Sequence, residues 1–247
     1  MRKLLLFILG IVLVNPAFAD MLGVRLAGGS FKYSVSGTVR DSAIVNDTVD
    51  VKNDLGWKDD KASMGYLYIE HPIPIIPDIR LGYTSLNMGG TNTITSSFTY
   101  NGVTYNASDT VTSNVDLSHT EIALYYQIID TGIDLDLGLN FKFFNGKVNF
   151  KDTLNNKASS TINATVPMLY GALTIPLGGG FKLAGDISTI SYNNDAFTDY
   201  LVRLRYDSDY LLGVELGYRS IHLKYQDANK YAKLDMKGPY IMATLSF

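Results

Sequence analysis

The sequence of 247 residues contains no cysteine, so disulfide bonds cannot stabilise this protein. Small exported domains often depend on disulfides, and this chain must be held by something else. Tryptophan occurs once and proline seven times, whereas there are 17 tyrosines and 11 phenylalanines. Acidic residues exceed basic ones by 24 to 21, which argues against nucleic acid as a partner because phosphate backbones attract basic surfaces.

Long apolar runs are also lacking, apart from the stretch over residues 4–14. Arg2 and Lys3 precede it, and the small residues Ala17 and Ala19 follow it, which is the pattern of a secretory signal peptide. A membrane anchor is the alternative, but a spanning helix needs about 20 apolar residues. The sequence predicts a signal peptide over 1–19 and one domain over 20–247. Removal of Arg2 and Lys3 changes the formal charge from −3 to −5.

What the sequence does contain is strict alternation of apolar and polar residues. In "DLDLGLNFKFF", residues 134–144, Leu135, Leu137, Leu139 and Phe141 occupy one face of a strand, and a helix would scatter them. The same pattern predicts about ten strands, over 21–33, 63–71, 79–88, 111–129, 133–150, 160–175, 181–192, 198–206, 210–225 and 232–247.

The connections between these strands alternate in length. Short turns alternate with the longer segments 34–62, 89–110, 151–159, 193–197 and 226–231. This asymmetry is typical of a transmembrane β-barrel. We therefore predict an all-β fold, a closed antiparallel transmembrane β-barrel of about ten strands in the outer membrane. Short turns and both termini are expected in the periplasm, and longer loops outside the cell.

Local signals refine this interpretation. Asn101 and Gly102 stand between Thr- and Tyr-rich arms, which predicts a type I′ hairpin on a β-ribbon that rises above the membrane. Pro167 cannot donate a ladder hydrogen bond, so it should mark a bulge or the loop end of its strand. Asp54, Asp59 and Asp60 could bind a divalent cation, but calcium-loop spacing is absent and a solvated loop is the favoured interpretation.

Charged residues share the polar face of the predicted strands. A soluble barrel would turn this face to water, whereas a membrane barrel turns it to the lumen and its apolar face to lipid. The predicted lumen charges are Arg25, Arg80, Glu121, Asp136, Lys142, Lys182, Asp186, Arg203, Arg205, Glu215 and Arg219. They could line a narrow pore or form a plug of paired charges, and a barrel of ten strands is close to the size that side chains fill. We favour the plug.

The last residues alternate as well. Ile241, Ala243, Leu245 and Phe247 form an apolar face that ends on an aromatic residue. This resembles the signal that the barrel-assembly machinery recognises, so that machinery and periplasmic chaperones are expected partners during biogenesis. Outer-membrane lipid and lipopolysaccharide are expected to surround the folded barrel, and the sequence names no extracellular ligand.

Several stretches resemble one group of proteins. They are "NDLGWKDD" (53–60), "IALYYQIIDTGIDLDLGLNFKFFNGKV" (122–148), "PMLYGAL" (167–173), "LRYDSDYLLGVELGYRS" (204–220) and "AKLDMKGPYIMATLSF" (232–247). In these the chain resembles the uncharacterised small outer-membrane β-barrel proteins of proteobacteria, which are Gram-negative bacteria. The resemblance implies fold and location but no activity and no catalytic residues.

Three functions are compatible with these observations. A structural or surface-interaction barrel is favoured, a narrow, porin-like channel for small solutes is the alternative, and a lipid-modifying enzyme or protease is third. His119 and Glu121 share the lumen-facing parity and could form part of a hydrolytic site, but Ser118 has the opposite parity. Metal clusters, phosphate loops and redox motifs are absent from the sequence, so we expect no cofactor and no enzymatic activity.

Overall fold

A computed structural model describes residues 22–41 and 48–247, which form an all-β structure. Within these ranges, no helix is long and apolar enough to cross a membrane. The signal peptide predicted over 1–19 lies outside the described residues. The strands are β1 (Gly23–Asp41), β2 (Val49–Asp50), β3 (Asp60–Glu70), β4 (Asp78–Ser85), β5 (Asn87–Thr93), β6 (Phe98–Tyr100), β7 (Val103–Tyr105), β8 (Thr110–Asp116), β9 (His119–Asp130), β10 (Asp134–Asp152), β11 (Lys157–Gly178), β12 (Phe181–Tyr192), β13 (Asp195–Asp207), β14 (Leu212–Gln226) and β15 (Lys230–Ser246).

The sheet closes on itself. Its strands follow the antiparallel order β11-β12-β13-β14-β15-β1-β3-β4-β9-β10, and β10 pairs with β11 again. Strand β5 continues β4 beyond Leu86, and β8 leads into β9 through Leu117 and Ser118, so each pair acts as one long strand of the barrel wall. The result is a closed antiparallel barrel of ten such strands, which confirms the predicted fold class.

The two ends of the barrel differ. The end where Val24 and Phe247 lie, joined by the hydrogen bond from Phe247 N to Val24 O, has only short turns, and we call it the terminal end. The opposite end, the loop end, carries strands that extend far beyond their neighbours, up to 22 residues in β11. The predicted first loop, 34–62, was wrong in extent because β1 continues to Asp41 and β3 begins at Asp60.

Side chains alternate across the wall. The outward face carries a belt of exposed apolar residues, represented by Leu139, Leu216 and Ile241, with the aromatic side chains Tyr83 and Tyr218 among them. The C-terminal residues Ile241, Ala243, Leu245 and Phe247 lie on this outward face. The inward face holds large side chains, and inward glycines make room for them. A Cβ on Gly82 would lie 2.6 Å from the Glu121 side chain, and one on Gly217 would lie 2.6 Å from the Tyr240 ring.

Pro167 lies in the middle of β11, opposite Phe141, and the register with β10 is unbroken there. The predicted bulge or strand end was therefore wrong. The ladder with β12 begins only at Leu169, however, so beyond this point β11 has no partner on that side. Proline is tolerated in a strand that is unpaired on one side, because a missing N–H on that side breaks no ladder hydrogen bond.

The barrel interior as the candidate functional site

Buried charges form a continuous chain across the barrel interior. In order, with alternating sign, its members are Arg25, Glu215, Arg203, Asp186, Arg80, Glu121, Lys142, Asp199 and Arg219. We call this set the ion-pair chain. All except Arg25 are almost inaccessible to solvent, and each projects from the inward face of its strand.

In the half of the ion-pair chain nearer the terminal end, all the cations are arginines. Glu215 Oε1 lies 2.8 Å from Arg25 Nη1, and its Oε2 lies 3.4 Å from Arg203 Nε. Arg203 donates to Asp186 at 2.6 Å, and Arg80 reaches the same carboxylate at 3.3 Å from across the lumen. Each carboxylate is thus shared between two cations, the arrangement that makes a buried charge tolerable.

The second half of the ion-pair chain centres on Lys142. Its ammonium contacts Glu121, Asp199 at 2.9 Å and the Nε2 of His119 at 3.4 Å, so each of its three N–H bonds has a partner. Asp199 also accepts two hydrogen bonds from Arg219, at 2.7 and 3.0 Å. The contact between Lys142 on β10 and Asp199 on β13 joins strands that are not neighbours, so it crosses the lumen.

His119, Glu121 and Asp199 place their ligand atoms within 4.8 Å of one another, a spacing that could hold a metal ion. The Lys142 ammonium lies against all three of these side chains. A metal would have to displace this cation and leave it buried without partners. The geometry therefore favours an internal ion pair over a metal site.

The hydrolytic arrangement considered from the sequence is not assembled around His119. Its Nδ1 lies 2.9 Å from the Leu117 carbonyl and donates to it, so Nε2 is the acceptor that faces Lys142. Ser118 Oγ accepts the Leu86 N–H at 3.0 Å on the other side of the strand. Neither hydroxyl nor imidazole is placed to activate the other.

The structure separates the sequence-predicted charges into two groups. Arg25, Arg80, Glu121, Lys142, Asp186, Arg203, Glu215 and Arg219 belong to the ion-pair chain, whereas Lys182, Arg205 and Asp136 do not. Lys182 and Arg205 both contact Asp207, at 3.0 and 3.1 Å. Sequence reasoning missed Asp199, although its parity matches that of Arg203 and Arg205 on the same strand and could have identified it.

Asp136 lines a cavity of about 450 Å³ near the terminal end. Acidic residues from β3, β4 and β10, including Glu70, Asp78 and Asp134, lie on one wall. Lys182 and Arg205 lie on the β12–β13 wall. Arg203 and Asp186 of the ion-pair chain also line the cavity, so the ion-pair chain separates it from the interior nearer the loop end.

The interior between the ion-pair chain and the loop end is apolar, which the sequence did not predict. The segment 51–57 turns into the barrel and buries Val51, Leu55 and Trp57 in an apolar cluster that includes Met88. The Trp57 indole N–H donates to Ser113 Oγ at 2.7 Å. On β5, Asn92 donates to the carbonyls of Asn53 and Asp54, which fixes the segment to the wall.

A hairpin of β6 and β7, which we call the cap hairpin, covers this apolar layer. Its turn has positive φ angles of 47° at Asn101 and 79° at Gly102, as the predicted type I′ turn requires. The ribbon does not simply rise from the barrel, because the hairpin folds back and contacts β11. Asn101 Nδ2 donates to the Ser159 carbonyl, and Tyr100 hydrogen-bonds Ser160. Burial raises the pKa of the Tyr100 phenol above its ordinary value.

Comparison with solved structures supports the fold. The outer membrane protease OmpT from Escherichia coli matches with a TM-score of 0.54 at 9% identity, over 93% of this chain and 97% of that one. The translocator domain of the autotransporter NalP from Neisseria meningitidis gives 0.42 at 10% identity, over 99% and 94% of the two chains. No protein-family model and no curated protein matches the sequence. The likeness to OmpT, at this identity, establishes a shared barrel fold, and it carries no activity to this chain.

Proposed function

We propose that this chain is an integral bacterial outer-membrane protein whose barrel does not conduct. Its terminal end would face the periplasm and its loop end the outside of the cell. The observation that carries the proposal is the ion-pair chain, which crosses the lumen through alternating buried charges. In a poorly hydrated interior such charges are costly when alone and tolerable when paired, so they favour a closed arrangement.

The outward belt supports membrane insertion. Large apolar side chains such as Leu139, Leu169 and Leu216 are 48%, 66% and 54% exposed. Their exposure to water would cost free energy, whereas contact with lipid would not. Barrel closure supports it too, because an open sheet edge is not tolerated in hydrocarbon.

The loop end supports a structural or surface-interaction role. The cap hairpin is held by aromatic packing of Phe98 and Tyr105 on Phe150, with ring centroids 5.6 and 6.1 Å apart. A surface ordered in this way can meet an external partner without first paying the entropy of ordering a loop.

A narrow solute channel is the second candidate, and the cavity at the terminal end favours it. The cavity gives one half of a path through the barrel. A continuous path would require both the ion-pair chain and the apolar layer with Trp57 to move aside.

Two measurements test the proposal. Because the chain lacks cysteine, Ala107→Cys at the loop end and Asp209→Cys at the terminal end can each be labelled selectively. In intact cells, a membrane-impermeant maleimide should label the first and not the second. Liposomes containing the purified protein should retain an entrapped small solute as well as empty liposomes do, while a porin releases it. Labelling of Asp209→Cys would reverse the orientation, and rapid release would favour the channel.

A further inference from the structure

The residues that border the outward apolar belt on its loop-end side differ in charge from strand to strand. Towards the loop end, most strands pass from apolar to uncharged polar residues, including Asn145, Thr165, Thr189, Thr198 and Ser220. On the adjacent strands β15, β1 and β3, the outward face instead carries Lys237, Lys32 and Lys61 at this level. These residues, which we call the lysine patch, are all exposed.

The register brings the lysine patch together. Lys32 lies directly opposite Lys61 in the β1–β3 ladder. Lys237 lies opposite Ser34, two residues along β1 from Lys32, which makes it a diagonal neighbour at about 7–8 Å. Like charges directly opposite each other on a sheet are destabilising, so an anion bound between these lysines would stabilise the patch.

Within the described part of the chain, no carboxylate forms an ion pair with the lysine patch. Among residues 22–41 and 48–247, the lysines in ion pairs are Lys52, Lys142, Lys182 and Lys230, and none belongs to the lysine patch. The nearby Asp235 hydrogen-bonds His222 at 2.7 Å.

Small outward residues lie between the lysine patch and the belt, and we call this strip without large side chains the Gly28–Gly65 groove. Gly28 lies opposite Gly65, and Ser30 lies opposite Ser63, on the outward faces of β1 and β3. A Cβ on Gly28 would meet no atom within 4 Å, and one on Gly65 would meet only the Ala27 carbonyl, at 3.4 Å. The packing of the barrel therefore does not require these glycines, in contrast to the inward Gly82 and Gly217.

We propose that the lysine patch binds the phosphate of an anionic membrane lipid in the leaflet at the loop end, with an acyl chain in the Gly28–Gly65 groove. Clustered lysines at a membrane surface recognise anionic head groups, and this patch stands where the apolar belt meets the head-group level. The inference rests on the proposed membrane insertion.

The test compares two triple variants with the same loss of charge. One is Lys32→Gln, Lys61→Gln and Lys237→Gln, and the matched control is Lys147→Gln, Lys151→Gln and Lys157→Gln, exposed lysines on the outward faces of β10 and β11. Lys151 and Lys157 are also directly opposed, but they lie further from the apolar belt, so the control separates a lysine pair as such from one at the edge of the belt. Each protein is reconstituted into nanodiscs of phosphatidylcholine with a small fraction of phosphatidylglycerol, released into detergent, and examined by native mass spectrometry for retained phosphatidylglycerol. Barrel formation is measured separately by the heat-dependent shift in electrophoretic mobility.

Wild type and the control should retain one phosphatidylglycerol, and the patch variant should bind it about a hundredfold more weakly, since each lysine near an anionic surface contributes about fivefold. Adding Gly28→Leu to wild type should also reduce retention while all three lysines remain. Millimolar inorganic phosphate should not displace the lipid, whereas displacement would indicate a site for free phosphate. Equal retention in both triple variants, with both barrels formed, would overturn the inference and leave the proposed function standing. Failure of wild type to form a barrel in nanodiscs would count against the proposed function itself.

Discussion

Lys142 Nζ lies 2.9 Å from Asp199 Oδ2, and this contact joins β10 and β13, two strands that do not pair with each other, through the lumen. Asp199 is also bound by Arg219, so one carboxylate contacts two buried cations. The same sharing recurs at Glu215 and Asp186, which is why removal of any one carboxylate should cost more than the loss of a single contact.

Asp199→Ala should destabilise the barrel by about 3–5 kcal/mol, because it leaves Lys142 and Arg219 buried without a full set of partners. The free energy of unfolding can be measured in urea with the fluorescence of Trp57, the only tryptophan. Asp209→Ala, at an exposed turn, is the control and should have little effect. Equal stability of the two variants would show that the buried ion pairs do not support the barrel.

Glu215→Ala should destabilise by about 3 kcal/mol, since it leaves Arg25 and Arg203 without their shared partner. Arg25→Ala in the same background should then cost less than it does in wild type, because its ion pair is already gone. A double-mutant cycle on the unfolding free energies measures this coupling. Strictly additive effects would mean that the 2.8 Å contact contributes nothing to stability.

Leu139→Arg should destabilise by about 2–4 kcal/mol, because it places a charge on the lipid face near the middle of the apolar belt. Leu139→Met, of similar volume, should be tolerated. Unfolding in lipid vesicles gives the comparison. A neutral effect of the arginine would mean that residue 139 does not face lipid.

Gly90→Ala should displace the segment 51–57 from the wall, because a Cβ at this position would lie 2.2 Å from the Gly56 carbonyl oxygen. Trp57 should then lose its hydrogen bond to Ser113, and its emission should shift to longer wavelength with greater quenching by acrylamide. Gly171→Ala, where the nearest atoms lie at ordinary contact distances of 3.6 Å or more, is the control. An unchanged Trp57 spectrum in Gly90→Ala would mean that the apolar layer does not depend on this contact.

The strands were predictable because their signal is local. Alternation placed Leu139 outward and Lys142 inward, and the strand over Phe181–Tyr192 has the bounds predicted. Parity also placed Glu215, Arg203 and Asp186 in the interior, but it could not assign partners. The distances from Arg80 to Asp186 and from Lys142 to Asp199 depend on barrel closure and on side-chain reach across the lumen.

The loop end was not predictable for the same reason. Trp57 and the cap hairpin are held by residues distant in sequence, such as Ser113, Ser159 and Phe150. Nothing in the local pattern of residues 34–62 indicates that part of this segment turns inward. The extension of β1 to Asp41 likewise depends on its pairing with β15, where Asp41 lies opposite Lys230.

Single-channel recording in a planar bilayer tests the central claim most directly. Wild type should insert without steady conductance, because the ion-pair chain and the apolar layer close the lumen in series. A variant that combines Arg203→Ala, Glu215→Ala and Trp57→Ala, which opens both layers, should show discrete conductance steps if its barrel still forms. A large and stable conductance of the wild-type protein would contradict the closed lumen and make the channel the better interpretation.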